Sequence, residues 1–111
     1  MQLTSRSSAV QEGKLVRALL NKPKGWRIKV WENLGWHVML RKYGMCLHWY
    51  RYGGPREFFT LLDSSGTGPG GEIYWTERFH SINPNTAIRR QLKIANDFVK
   101  QCTKAIQEVE R

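Results

Sequence analysis

No stretch of this 111-residue sequence approaches the roughly 20 apolar residues that cross a bilayer, so no membrane-spanning helix is expected. Met1 to Ala9 is polar and hydroxyl-rich and lacks the apolar centre of a secretory signal, so the expected location is cytoplasmic. Cysteine is scarce. Cys46 and Cys102 make no disulfide framework, and in a reducing compartment both read as small buried apolar residues. The histidines His37, His48 and His80 stand at no metal-ligand spacing, and neither Cys-x-x-Cys nor His-x-x-x-His occurs. No metal or cofactor is therefore expected.

Catalytic signatures are missing as well. Gly66 to Gly71 (GTGPGG) lacks the Lys-Ser/Thr and following helix that would complete a phosphate-binding loop. Glu32 and Glu57 fall on different predicted strands, and Glu72 and Glu77 lie beside a loop, so no acid pair is set up for proton transfer. A non-enzymatic protein is expected. RNP-like, KH-like and zinc-finger motifs do not occur either, so any binding role must be argued from composition.

Acids are few: nine Asp and Glu face eighteen Lys and Arg, a net charge of +9. Residues 1–25 hold five cations and one acid, 26–55 five and one, 56–80 two and four, and 81–111 six and three. The excess lies on the N-terminal segment, the first predicted strands and the last helix, and it favours polyanionic partners without bearing on the fold.

What the chain does have is aromatics, concentrated between Trp26 and Tyr52. These 27 residues hold four of the five tryptophans, Tyr43, Tyr50, Tyr52, His37, His48 and five cations. Length, 41% apolar and 24% charged residues are those of one globular domain. The expected organisation is a disordered tail over residues 1–8 and a single α+β domain over 9–111. Ser8 with Gln11 fits a capping box, and Val10, Leu15, Val16, Leu19 and Leu20 form a short helical stripe that Pro23 and Gly25 end. Strands follow over Trp26–Asn33, Trp36–Lys42 and Met45–Tyr52, with hairpins at Leu34-Gly35 and Tyr43-Gly44. Arg56–Leu62 reads as a fourth strand, Asp63–Gly71 as a flexible loop and Glu72–Thr76 as a short fifth strand. Asn83-Pro84 then opens a long helix. Its apolar positions Ile88, Leu92, Ala95, Val99, Cys102, Ile106 and Val109 predict a face packed on the sheet, with Ile106 and Val109 reaching toward a dimer contact. The fold class is α+β: N-terminal helix, four- to five-stranded antiparallel meander, long C-terminal helix on one face.

Strand alternation divides the sheet into two faces. Trp26, Ile28, Val30, Trp36, Val38, Leu40, Met45, Leu47 and Trp49 make the core side. Arg27, Lys29, Trp31, His37, Met39, Arg41, His48, Tyr50 and Tyr52 make a second side, expected to be wet. Single-stranded nucleic acid is held by rings that stack on bases and cations that follow phosphates. Trp31, Tyr50 and Tyr52 are the candidate stackers, and Arg27, Lys29 and Arg41 the candidate phosphate partners. The order helix, three strands, helix is also similar to double-stranded RNA-binding domains, although two further strands intervene and no Gly-Pro-x-His loop occurs. That likeness implies phosphate contacts from Arg89, Arg90 and Lys93 in the first turns of the last helix, where the helix dipole favours anions.

Two other expectations stand beside nucleic acid. In one, the aromatic side is the interface of a homodimer or of another protein contact. In the other, a small ligand sits between sheet and helix against Trp36, Trp49 and Phe59. The run Val30-Trp31-Glu32-Asn33-Leu34-Gly35-Trp36-His37, with Gly70-Gly71, Tyr74-Trp75-Thr76 and Asn83-Pro84-Asn85, resembles short α+β proteins of phage and other mobile elements. The resemblance spans roughly residues 26 to 105. It implies a small α+β domain with a mobile-element accessory role, and it assigns no activity to any residue.

Overall fold

The computed structural model describes residues 2–63, 72–73 and 80–110. Helix α1 (Arg6–Ala18) is followed by strands β1 (Arg27–Glu32), β2 (Trp36–Lys42), β3 (Met45–Tyr50), β4 (Glu57–Asp63) and β5 (Glu72–Ile73), then helix α2 (Pro84–Val109). The sheet is an antiparallel meander in the order β1-β2-β3-β4-β5. This is the expected α+β architecture. The stretches expected as loop over 64–71 and as strand over 74–76 lie outside the described residues.

Helix α1 begins earlier than the sequence suggests, and residues 2–8 are not a loose tail. Ser5 is the N-cap, and the box is closed by Ser8, whose Oγ accepts the Ser5 N–H while Ser5 Oγ accepts the Ser8 N–H, both at 3.1 Å. A serine at the third helical position replaces the usual Glu or Gln, which is why Ser8 itself looked like the cap. Upstream, the Leu3 carbonyl accepts the Trp36 N–H at 3.3 Å, and Leu3 pairs with Trp36 as a bridge.

All nine residues assigned to the core side pack in one cluster, together with Ala9, Val16, Leu20, Phe58 and Ala87. The cover over them is shared. Helix α1 lies on β1 and β2, and α2 lies on β4. Only the first turns of α2 take part: Pro84, Ala87 and Gln91 are buried, and Gln91 Oε1 accepts the Thr60 hydroxyl at 3.0 Å. Asn83 caps α2 as expected, its side chain accepting the Asn85 N–H at 2.9 Å. From Asn96 to Glu110 every residue is exposed, so the predicted apolar stripe is core only at its beginning. The stripe is a local property of the chain, whereas its burial needs sheet beneath it, and β4 supports only the first turns. Among the described residues no helix is long and apolar enough to cross a membrane.

Beside the core, Arg56 clamps α1 to the start of β4. Its Nε and Nη2 donate to the same carboxylate oxygen of Glu12 at 2.8 and 2.6 Å, and Glu12 is buried. Both cysteines are free, Cys46 buried as expected and Cys102 exposed, contrary to expectation, because α2 has left the sheet by that turn.

Candidate functional site

The cross-strand register builds the second face in rows. On β1 and β2 the pairs are Arg27 with Arg41, Lys29 with Met39, and Trp31 with His37. On β3 and β4 they are Cys46 with Leu61, His48 with Phe59, and Tyr50 with Glu57. Along β1 the face passes from Arg27 to Trp31, about 13 Å at 3.2–3.4 Å per residue. One end is therefore basic and the other aromatic. The middle is closed: Met39 and Cys46 are fully buried and Leu61 nearly so. Met39 was expected on an open face. It lies instead between flanking Arg41 and Lys29, on a face that is accessible at its two ends.

At the basic end, Arg27, Lys29, Arg41 and Lys42 surround a hollow of about 480 Å³ with Gly25 and Tyr43. Arg41 Nε donates to the Tyr43 carbonyl at 3.2 Å, which ties the guanidinium stem to the β2–β3 turn. Tyr43 holds the left-handed conformation at φ 54°, uncommon for an aromatic residue, and is exposed. The Lys42 ammonium lies 5.9 Å from its ring centroid. On the far side of the same turn, Lys22, Lys42 and Arg89 rim a second groove of about 480 Å³ over Trp26, Met45 and Ile88. Lys29, Arg27, Arg41, Lys42, Lys22 and Arg89 thus form a band around Tyr43. No acid is among the described residues lining either hollow.

The aromatic end is a cleft of about 340 Å³ where β2 and β3 part. Their ladder runs through Lys42–Met45, Arg41–Cys46 and Leu40–Leu47. Farther from the turn, Trp36 bonds to Leu3 instead. Trp31, Trp36, His37, His48, Trp49, Tyr50, Tyr52 and Phe59 border the opening. Trp31 and His37 stack at 5.4 Å and 18°, and the His37 Nε2–H donates to the Asn33 carbonyl at 2.8 Å, which sets the ring's tautomer. His48 stacks on Phe59 at 5.3 Å and 13°. Tyr50 lies 5.1 Å from Tyr52 and 5.3 Å from His80, edge-on to the latter. Its hydroxyl donates to the Glu57 carboxylate across the strands, which pushes the phenol above its ordinary value of 10.0, with desolvation adding to the rise.

The structure brings Arg27, Lys29 and Arg41 together as expected, and sets Trp31, Tyr50 and Tyr52 on one cleft. It does not gather Arg89, Arg90 and Lys93 with them. These sit on α2, which packs on the opposite side of the sheet. Arg89 alone reaches the band, around the turn, while Lys93 stands 3.7 Å from Asp97 in an exposed helical pair. The expected small-ligand pocket between sheet and helix is also displaced. Trp36, Trp49 and Phe59 do border one space, but at the β2–β3 parting, because Phe59 faces away from the core. Lys22, Lys42 and Tyr43 were missed in the sequence. The one signal for them was an aromatic residue preceding Gly44 in a turn flanked by lysine.

No group of His, Cys, Asp or Glu among the described residues is arranged to hold a metal. Comparison with protein families, curated proteins and solved structures finds no match to this chain. The functional reading therefore rests on this chain's own geometry.

Proposed function

We propose that this protein is a non-enzymatic binding module for single-stranded nucleic acid, with the strand lying along the second sheet face. Arg27, Lys29, Arg41 and Lys42 take successive phosphates, Tyr43 offers a ring at the turn, and bases stack against Trp31, Tyr50 and Tyr52 at the cleft. The observation that carries the reading is the juxtaposition, on one face about 13 Å long, of an acid-free basic hollow and an aromatic cleft. Cations alone attract any polyanion, and rings alone pack against many surfaces. Cations and rings side by side on one extended face are what a single strand requires. The buried centre at Met39 and Cys46 offers the strand no contact of its own, so the two ends of the face carry the binding.

A duplex suits the face less well, since its bases are stacked inward and leave the rings without a ligand. The test is a fluorescence-anisotropy titration of labelled single- and double-stranded oligonucleotides at about 50 and 200 mM salt. Micromolar or tighter single-strand binding that falls steeply at the higher salt supports the reading. Absence of binding at the lower salt overturns it. Self-association through the aromatic face would then be sought by measuring whether Trp31→Ala changes the mass in solution.

A further inference from the structure

We infer that the groove between the exit of α1, the β2–β3 turn and the first turns of α2 binds a small amphipathic anion. Its ligand is a carboxylate or phosphate head on a hydrocarbon body. This space is separate from the cleft of Trp36, Trp49 and Phe59, and it lies across the β2–β3 turn from the hollow of Arg27, Lys29 and Arg41. At about 480 Å³ it falls within the roughly 300–1,000 Å³ of sites that hold one small molecule.

The floor of the groove is hydrocarbon held in place by the core. Leu20 and Trp26 belong to the buried cluster, and Met45 and Ile88 pack against it. Leu92, 48% exposed, carries the apolar surface out to the open edge. Asn85 ties the walls together: its Oδ1 accepts the Asn21 N–H at 2.8 Å, and its Nδ2 donates to the Leu19 carbonyl at 3.1 Å. These bonds pin α2 to the exit of α1, so the groove stands before a ligand arrives. They also engage both ends of the Asn85 amide. A nucleobase pressed onto this floor would leave hydrogen-bonding groups unpaired, at a cost. A hydrocarbon body has none to satisfy and gains by leaving water.

The rim selects the charge of the ligand. Lys22, Lys42 and Arg89 reach it from the α1–β1 connection, β2 and α2. The stem of Lys42 lies against the backbone of Gly25, where a Cβ would stand 3.1 Å from Lys42 Cε. Its ammonium is 5.9 Å from the centroid of the Tyr43 ring, which places the head at the mouth of the groove. No acid is among the described residues lining the groove. Three cations above an apolar floor complement one anionic head and disfavour a cationic one. The site does not rest on the nucleic-acid reading. Lys22, Arg89 and the floor lie outside the path proposed for a strand, and Lys42 alone is shared.

The test is quenching of tryptophan fluorescence in the full chain by monomeric ω-bromooctanoate, without nucleic acid, against neutral ω-bromooctanol. Bromine quenches an indole that it touches, and Trp26 lies in the floor. The expected result is saturable quenching by the acid below roughly 1 mM. Affinity should be about tenfold lower for the alcohol, and about tenfold lower for the acid in the Lys22→Ala/Arg89→Ala variant, whose changes are at the surface. Leu92→Asp sets a carboxylate at the open edge and should abolish the quenching with thermal melting retained. Absence of saturable quenching overturns the proposal. So does an alcohol that binds as tightly as the acid, which removes the rim from recognition, or quenching unchanged in Leu92→Asp, which puts the amphiphile elsewhere. Association with phosphatidylglycerol vesicles but not with the monomeric acid overturns it too, in favour of a membrane surface.

Discussion

Gly13 of α1 rests against Ile28 of β1 so closely that a Cβ on the glycine would stand 2.7 Å from Ile28 Cγ2, with Val38 Cγ2 at 3.0 Å. Real Cβ atoms do not approach that near. The residue that weakens α1 as an isolated helix is the one that lets it settle on the sheet.

Gly13→Ala is accordingly expected to destabilise the protein. Removing glycine from a helix interior stabilises it by about 1 kcal/mol, but overpacking a core contact costs about 1–3 kcal/mol. Chemical denaturation of Gly13→Ala, Ile28→Ala and the double variant checks this. The double variant should be less unstable than the two single losses added together, since Ile28→Ala makes room for the new methyl. Equal or higher stability in Gly13→Ala alone would refute the close approach.

The Glu12–Arg56 pair leads to a second expectation. Arg56→Ala leaves a buried carboxylate without its guanidinium and should cost about 3 kcal/mol, the lower part of the range for broken buried pairs. Glu12→Leu combined with Arg56→Met removes both charges and should recover much of that loss. Urea midpoints of the three variants decide it. A double variant no better than Arg56→Ala would mean the pair is more than a mutual neutralisation.

On the second face, phosphate and base contacts separate experimentally. Arg27→Ala should weaken single-strand binding and lower the slope of log affinity against log salt by about 0.7, one phosphate contact. Trp31→Ala should weaken binding by about 1–3 kcal/mol with the slope unchanged, since stacking releases no counterion. Anisotropy titrations across salt concentrations read both. An Arg27→Ala variant with wild-type slope would remove the basic hollow from the binding path.

Tyr50 sets a pH expectation. Its phenol is held above 10.0 by donating to Glu57, so the protonated form is the one the folded state favours. Whatever this bond adds to stability is complete below pH 10 and is lost as pH rises through the higher folded value. Ultraviolet phenolate titration should show one tyrosine ionising later than a free phenol, and Glu57→Gln should bring it back toward 10.0. Unchanged titration in Glu57→Gln would show that the carboxylate is not the cause.

Element order, the Asn83 cap and the membership of the core side were all legible in the sequence, because each follows from short-range geometry. Side chains alternate across a strand whatever surrounds it, so Trp26, Ile28, Val30 and the six others could be assigned to one face without knowing what covers it. Covering itself is a long-range matter. Only the folded chain shows that Ser5 rather than Ser8 caps α1, and that Met39 and Cys46 close the middle of the second face. The parting of β2 from β3 at Leu3, which opens the aromatic cleft, also depends on segments far apart in sequence. The band of cations around Tyr43 joins residues from α1's exit, two strands and α2, so no window of sequence could contain it. The apolar stripe of α2 was legible in the sequence. That it faces outward was settled by the sheet, which reaches under the first turns of the helix and leaves the apolar stripe beyond them exposed.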